Sequence, residues 1–360
     1  MFRSLFLLLL LCWGCSFTAF AQKKNASFEY HIHRANAPLA IDGSGDDAAW
    51  QSAEVVSDFY MVLPMDTSKA QVRTEVRMLY DDKQMYLLAV CYEKVAGPYM
   101  VESLRRDFSF GKNDNFLVFL DPFDDQTNGF TFGSNAEGAQ WDGLLFDGGA
   151  ANLGWDNKWT SAVATEEDKW TFEMAVPFKT LRYKAGITRW GVNFSRLDMK
   201  TTEKSAWTPV PRQFPTASLA YTGVLVWDEP PPPAGLNASL IPYALASTSK
   251  NQEQHSDGNT FGQVGLDAKM ALTSALNLDL TLNPDFSQVE VDRQQTNLDR
   301  FELFFPERRQ FFLENGDLMT NFGYSSIRPF FSRRIGLNSS IQYGARLSGK
   351  LDKNWRVNLM

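Results

Sequence analysis

The chain has 360 residues, enough for two domains, and carries 35 basic against 42 acidic residues for a formal net charge of −7. That balance excludes the basic stripe of a nucleic-acid binder, and no run beyond the N-terminal segment reaches the roughly 18 apolar residues of a membrane helix. Aromatic residues make up 14%, with 10 Trp and 28 Phe, a content that suits either stacking on sugar rings or a membrane barrel.

Arg3, the apolar run from Leu5 to Leu11 and Ala19-Phe20-Ala21 read as a secretory leader, with cleavage expected after Ala21. Cys15 follows Cys12-Trp13-Gly14, which fits a lipoprotein signal poorly. Loss of the leader leaves 34 basic against 42 acidic residues, a net charge of −8, and a single cysteine. That residue, Cys91 in "MYLLAVCY", is expected to be a buried, inert thiol. His31 and His33 in "FEYHIHRA" would share one face of a strand, but with no third ligand nearby they read as surface residues rather than a metal pair.

"DGSGDDAAW", Asp42 to Trp50, invites a calcium reading. Counted from Asp42, however, the sixth position holds Asp47 instead of glycine and the twelfth holds Ala53 instead of an acid. The stretch is better explained as an Asp42-Gly43 turn, a short helix near Asp46–Ser52 capped by Asp46, and a core anchor, Trp50. From Gln71 to Leu79, apolar Val72, Val76 and Met78 alternate with polar residues, as in a strand with one buried face. "QMYLLAVCYE" and "NFLVFLD" are apolar on both faces and read as central strands, and "KWTFEMAVPF" and "RWGVNFSRL" extend the series, with a second short helix near Lys179–Leu181. Trp170 and Trp190 sit in these alternating patterns and are expected in the core. Few helices and many short strands make residues 22–227 a β-sandwich or jelly roll.

"WDEPPPPAG", Trp227 to Gly235, marks a boundary, because consecutive prolines have no N–H to offer a sheet and prefer an extended spacer; residues 228–235 are taken as the linker. Beyond it, Val264 to Leu272, Leu276 to Leu282 and Ile341 to Leu347 alternate apolar and polar residues in segments about ten residues long. A soluble sheet with one wet face uses the same period. The exported context favours the start of an outer-membrane β-barrel over residues 236–360, and with about five candidate strands, fewer than the minimum of eight, the sequence is expected to stop inside a longer barrel. The fold class expected for the whole is therefore all-β, a jelly-roll-like sandwich followed by antiparallel strands of an incomplete barrel.

"LAIDGSGDDAAWQSA", "VRMLYDDKQMYLLAVCYE", "NDNFLVFLDPFDDQTNGFTFGSNAEGAQWD" and "WTFEMAVPFKTLRY" occur in the order seen in carbohydrate-binding modules of family nine, which residues 42–227 resemble. "NPDFSQVEVDRQQTNLDRFELFFPERRQFFLENGDL" with "FFSRRIGL" resembles an uncharacterised family that follows such modules in outer-membrane proteins of the Bacteroidetes type. The resemblance implies a glycan as ligand, either a poly- or an oligosaccharide, and supplies no mechanism; contact with outer-membrane lipid and with other outer-membrane proteins is expected of the barrel. Family-nine modules can carry structural calcium, for which "DPFDDQTNG" offers Asp121, Asp124, Asp125 and Asn128; a solvated acidic turn is the alternative.

Sugar binding needs a flat apolar face for ring C–H groups and amides or carboxylates for the hydroxyls. "NAEGAQWDGLLFDGGAANLGWDNKW" is densest in both, with Trp155 and Trp141 near Asn135, Gln140, Asp142, Asn152, Asp156 and Asn157. Trp155, in a Gly/Asn/Asp loop, is expected to be the most exposed ring, with packing within the loop as the alternative to stacking on a ligand, whereas Trp159 begins a strand and is expected in the core; Trp141 and Trp207 are weaker stacking candidates. A glycosidase would need two carboxylates about 5 to 10 Å apart, which spacing in sequence does not establish. A Ser-His-Asp triad is disfavoured by the lack of a G-x-S-x-G elbow among only three histidines, His31, His33 and His255. Glu307, Arg308, Arg309 and Glu314, interleaved with Phe305, Phe311, Phe312 and Leu313, suit a segment packed into or against a barrel mouth with Arg–Glu pairs satisfying one another. The expected function is glycan binding at the outer membrane in support of uptake or breakdown, the alternatives being a structural cap on a transport or secretion barrel and a glycoside hydrolase.

Overall fold

The computed structural model describes residues 23–153, 155–232, 238–249, 259–272, 276–284, 307, 309–313, 324, 329–336, 341–351 and 355–360. The expected leader, the end of the proline run, His255, Phe305, Arg308 and Glu314 lie outside these residues. The described structure is all-β, with single short helical turns at Ala48–Ser52, Phe110–Lys112, Phe178–Thr180, Leu219–Tyr221, Gln310–Leu313 and Ser332–Arg334. No described helix is long and apolar enough to cross a membrane.

Thirteen strands form one curled sheet. They are β1 (Glu29–Arg34), β2 (Tyr60–Leu63), β3 (Thr74–Tyr80), β4 (Gln84–Tyr92), β5 (Asn115–Asp121), β6 (Gly129–Asn135), β7 (Gln140–Phe146), β8 (Ala150–Asn152), β9 (Thr160–Thr165), β10 (Lys169–Pro177), β11 (Arg189–Asp198), β12 (Glu203–Ala206) and β13 (Gly223–Trp227). The order is β8-β7-β6-β5-β11-β13-β1-β3-β4-β10-β9, with the β2–β12 pair attached to β11. β1 runs parallel to β13 through Glu29–Ile32 and then parallel to β3 through His33 and Arg34, so it carries the sheet from one layer to the other. The inward residues of both layers, among them Tyr30, Phe116, Phe132, Phe172, Phe194, Trp170 and Trp190, make one core. Each such ring contributes roughly 2–3 kcal/mol on leaving water. Cys91 lies in this core, where burial pushes its thiol up to about 12, so it is inert as expected.

The outer faces are covered as well. Trp50 and Ala53 pack over Leu79, Leu88 and Val90, which is why β3 is buried on both sides rather than on the single face its alternation predicts. The short helix begins one residue later than expected, with Asp47 at its N-cap. Neither carboxylate caps it: Asp47 accepts the Ala40 amide at 2.8 Å, and Asp46 accepts the Ser44 hydroxyl at 2.8 Å. The corner is held instead by buried Glu173 of β10, whose Oε2 accepts the amides of Gly43 (2.8 Å) and Asp42 (3.2 Å) while Oε1 accepts Trp50 Nε1 at 3.0 Å. Gly43 has φ +90°, and a Cβ there would stand 2.8 Å from the Val163 backbone, so glycine is required.

A second, antiparallel sheet runs in the order β14 (Ala238–Ser249), β15 (Asn259–Ala271), β16 (Leu276–Leu282), β17 (Tyr343–Lys350), β18 (Arg356–Leu359). Its two faces are reversed relative to a soluble sheet. Asn277, Asp279, Thr281, Arg346 and Ser348 are buried, none more than 5% exposed, whereas Val264 is 70% and Tyr343 78% exposed on the opposite face. The buried polar groups pair with one another: Arg346 Nη2 lies 2.7 Å from Asp279 Oδ2, and the Thr281 hydroxyl donates to Asp267 at 2.6 Å.

Candidate functional site

The main path of the curled sheet ends at β8 and β9, its side branch ends at β2, and residues 153–159 connect β8 to β9, so this loop closes the seam between the two layers. It is the same loop that the sequence singles out for sugar binding. One residue that sequence reasoning missed, Arg106, organises it. Its guanidinium lies 2.5 Å from Asp142 Oδ1 of β7 and 2.9 Å from Asp156 Oδ1 of the loop, and it donates to Gln140 Oε1 at 2.8 Å and to the Asn157 carbonyl at 3.1 Å. Asp142 Oδ2 also accepts the Asn157 amide at 2.7 Å, and Gln140 Nε2 reaches Ser161 of β9 at 2.9 Å, tying β7 to the opposite layer. Gln140, Asp142, Asp156 and Asn157 are thus brought together as predicted, with the planar fork of an arginine matched to several oxygens at once.

The electrostatics of the cluster follow from uneven burial. Asp142 is fully buried, Arg106 keeps 34% of its side chain exposed, and Asp156 58%. Burial raises the Asp142 carboxyl above its usual range, against the pull of the Asn157 amide and Arg106. Asp107, also missed from sequence, accepts the Asp142 amide at 3.3 Å and is pushed up to about 7, chiefly by burial and further by the charges of Asp142 and Asp156. The only sequence signal for these two residues is the charged triplet Arg105-Arg106-Asp107 before Phe108, which by itself reads as a solvated turn.

The other candidates lie outside this cluster. Trp155 is not a free platform: it is half-buried, with its ring centroid 5.2 Å from Phe130 and 6.4 Å from Phe132, because the seam leaves core aromatics in need of a cover. Trp141 is buried against Phe108, Leu117 and Leu219 on the outer face of β5–β7. Asn135 is fully buried and shapes the β6–β7 turn, accepting the amides of Glu137 and Ala139 and donating to the Ser103 carbonyl at 2.9 Å. Asn152 pairs with Leu144 at the β8 edge. Trp159 and Trp207 are core residues, the former as expected.

The calcium candidates do not converge. Asp121 is buried and accepts three backbone amides, those of Phe123 (3.2 Å), Asp125 (3.2 Å) and Gln126 (2.8 Å), which is the reverse of what a cation requires. Asp125 Oδ1 accepts the amides of Thr127 and Asn128, and Asp124 pairs with Lys23 at 3.2 Å. Among the described residues no group of three or more His, Cys, Asp or Glu side chains is placed to hold a metal, and the carboxylates of the Asp121–Asn128 loop are turned to backbone amides and to Lys23. His33 meets Asp228 at 3.0 Å, and His31 is exposed, as its reading as a surface residue requires.

Residues 41–211 match the family described as carbohydrate family 9 binding domain-like, and residues 232–356 match domain of unknown function 5916. The similarity to family 9 binding domains spans residues 41–211. Similar solved structures include a family 9 carbohydrate-binding module from Caldicellulosiruptor kristjanssonii in complex with cellotriose, at 14% identity and a TM-score of 0.41, covering 56% of this chain and 94% of that one. The same organism's module in complex with glucose gives 15% identity and a TM-score of 0.39, covering 55% and 96%. A putative carbohydrate-binding protein from Bacteroides uniformis ATCC 8492 gives 14% identity and a TM-score of 0.45, covering 56% and 99%. No curated protein matches the chain.

Proposed function

We propose that the family 9-like domain binds carbohydrate at the β7–β9 seam. The observation that carries this reading is the gathering of Gln140, Asp142, Asp156 and Asn157 on the single guanidinium of Arg106, beside the partly exposed ring of Trp155, inside the span that matches the family. The exposed carboxylate of Asp156 and the amide of Gln140 would bond sugar hydroxyls, Arg106 would hold both in place, and the open edge of Trp155 would meet a sugar ring. Asp142 and Asp156 grip the same guanidinium rather than facing each other across a substrate space, which favours binding over glycoside hydrolysis.

Isothermal titration with cellotriose and glucose, followed by a glycan array, tests this. Wild-type domain should bind at least one glycan, and Arg106→Ala and Trp155→Ala should each weaken it at least fivefold. Binding that survives both substitutions would remove the site from the seam. The burial of Trp141 and Trp155 favours one competing reading, a structural cap without sugar binding, and a complete absence of binding across the array would support that instead.

The second sheet we read as part of an outer-membrane barrel, on an exported chain whose sandwich lies in the periplasm or at the cell surface and assists glycan uptake or breakdown. Its reversed faces support this: in lipid the apolar side chains point outward and the polar ones inward. Outer-membrane lipid, and other outer-membrane proteins, would then be its partners.

A further inference from the structure

β8 pairs only with Leu144–Phe146, so among the described residues the outer edge of β7 over Gln140–Asp142 has no neighbouring strand. Asp107 takes that place. Its amide donates to the Gln140 carbonyl at 3.0 Å and its Oδ1 accepts the Asp142 amide at 3.3 Å, so one residue satisfies both the acceptor and the donor that a further strand would have met. It does so at φ +57°, in the left-handed region that Asp and Asn tolerate best among residues with a side chain. The carboxyl is thereby held beside Asp142, against the edge on which the seam loop closes.

This placement leaves an excess of negative charge. Asp107 faces Arg106 from its own segment, Asp142 from β7 and Asp156 from the seam loop, so three carboxylates surround one guanidinium. The adjacent cations Arg105 and Lys158 are exposed to solvent. When all three carboxylates are ionised, Asp107 and Asp142 repel each other and draw Arg106 away from the exposed Asp156. A proton on Asp107 ends that competition and leaves the guanidinium to Asp142 and Asp156, which together hold residues 155–159 against β7. Burial, reinforced by the charges of Asp142 and Asp156, pushes the Asp107 carboxyl from 3.8 up to about 7, and opening of the seam returns it towards 3.8. A group raised in the closed state favours closure fully below about pH 4, and that contribution is lost as pH rises through about 7.

We propose that Asp107 is a proton-operated latch: protonated, it lets Arg106 hold residues 155–159 on the β7 edge, and ionised, it releases them, so that acidity regulates the ligand site at the seam. The regulation of a ligand rests on the carbohydrate reading above, whereas the latch itself does not. The Asn157 amide, bonded to Asp142 Oδ2 at 2.7 Å, reports closure. Hydrogen exchange of the full chain, read by mass spectrometry on peptides covering residues 155–159 at pH 5 and pH 8 and corrected for the intrinsic effect of pH, should show opening that grows about tenfold or more in wild type. Asp107→Asn keeps an acceptor for the Asp142 amide and suits the positive φ without titrating, and it should cut that growth at least threefold. If Asp107→Asn loses the protection of β4, Asp107→Gly, which also suits the backbone, decides in its place. A smaller wild-type change, or one that the variant leaves intact, overturns the latch. Cellotriose, titrated calorimetrically, should bind wild type at least threefold more weakly at pH 8 than at pH 5, and Asp107→Asn equally at both. Binding that ignores pH while the loop switches overturns the regulation. A loop that switches with no cellotriose bound at either pH supports the latch and counts against the carbohydrate reading alone; binding without switching overturns the latch and leaves that reading standing.

Discussion

Arg106→Ala is the substitution that most directly tests the arrangement at the seam. It removes the partner of Asp142, a carboxylate with no exposed surface, together with hydrogen bonds to Gln140 and the Asn157 carbonyl. Breaking a fully buried ion pair by deleting one side costs roughly 3–5 kcal/mol. Arg106 is one-third exposed, so water screens part of the pair and the loss should be about 2–3 kcal/mol. In a domain of this size that lowers Tm by about 5–10 °C. Urea denaturation of residues 23–232 gives the free-energy change and calorimetry the Tm. If the stranded Asp142 charge is the cause, Asp142→Asn in the Arg106→Ala background should recover about half the loss, giving a coupling energy above about 1 kcal/mol. A loss under about 0.5 kcal/mol for Arg106→Ala, the scale of an ordinary surface change, would show that the cluster is solvated in solution and refute the reasoning.

Three further outcomes follow from the sandwich. Gly43→Ala, at φ +90° and 2.8 Å from the Val163 backbone, should cost about 2 kcal/mol or more in urea denaturation, and a neutral result would mean that the Glu173 corner is not rigid. Burial raises Asp121 from 3.8 to about 6, so the unfolded chain loses that proton first. Its stabilising contribution is then full below about pH 4 and lost as pH rises through 6, on the order of 3 kcal/mol in all, and Asp121→Asn should flatten the stability profile between pH 4 and 7. Because the Asp121 loop spends its oxygens on backbone amides, adding calcium or a chelator should move the Tm of residues 23–232 by less than about 1 °C; a rise of several degrees with calcium would show that the loop rearranges around the ion.

Much of the sandwich was legible along the chain because alternation reports burial directly. "QMYLLAVCY" and "NFLVFLD" read as doubly buried strands and became β4 and β5, and Trp50, Trp159, Trp170 and Trp190 went to the core. Part of the seam cluster was legible too, since Gln140, Asp142, Asp156 and Asn157 belong to one dense polar stretch. Arg106 was not, because it joins them from a different segment, and how far Trp155 is covered was not either, because that depends on Phe130 and Phe132, more than twenty residues earlier. The helix cap failed for a similar reason: Asp46 and Asp47 had other acceptable donors nearby, and Glu173 supplied the anchor from β10.

The sequence by itself determined the all-β class and the alternating strands in both regions that it singled out, because period-2 alternation acts locally. Only the tertiary structure decided that β8 and β9 meet across a seam, that one guanidinium gathers its polar residues, and which face of the second sheet is buried. A strand's alternation says that its two faces differ; the direction in which each face points is set by what packs against it.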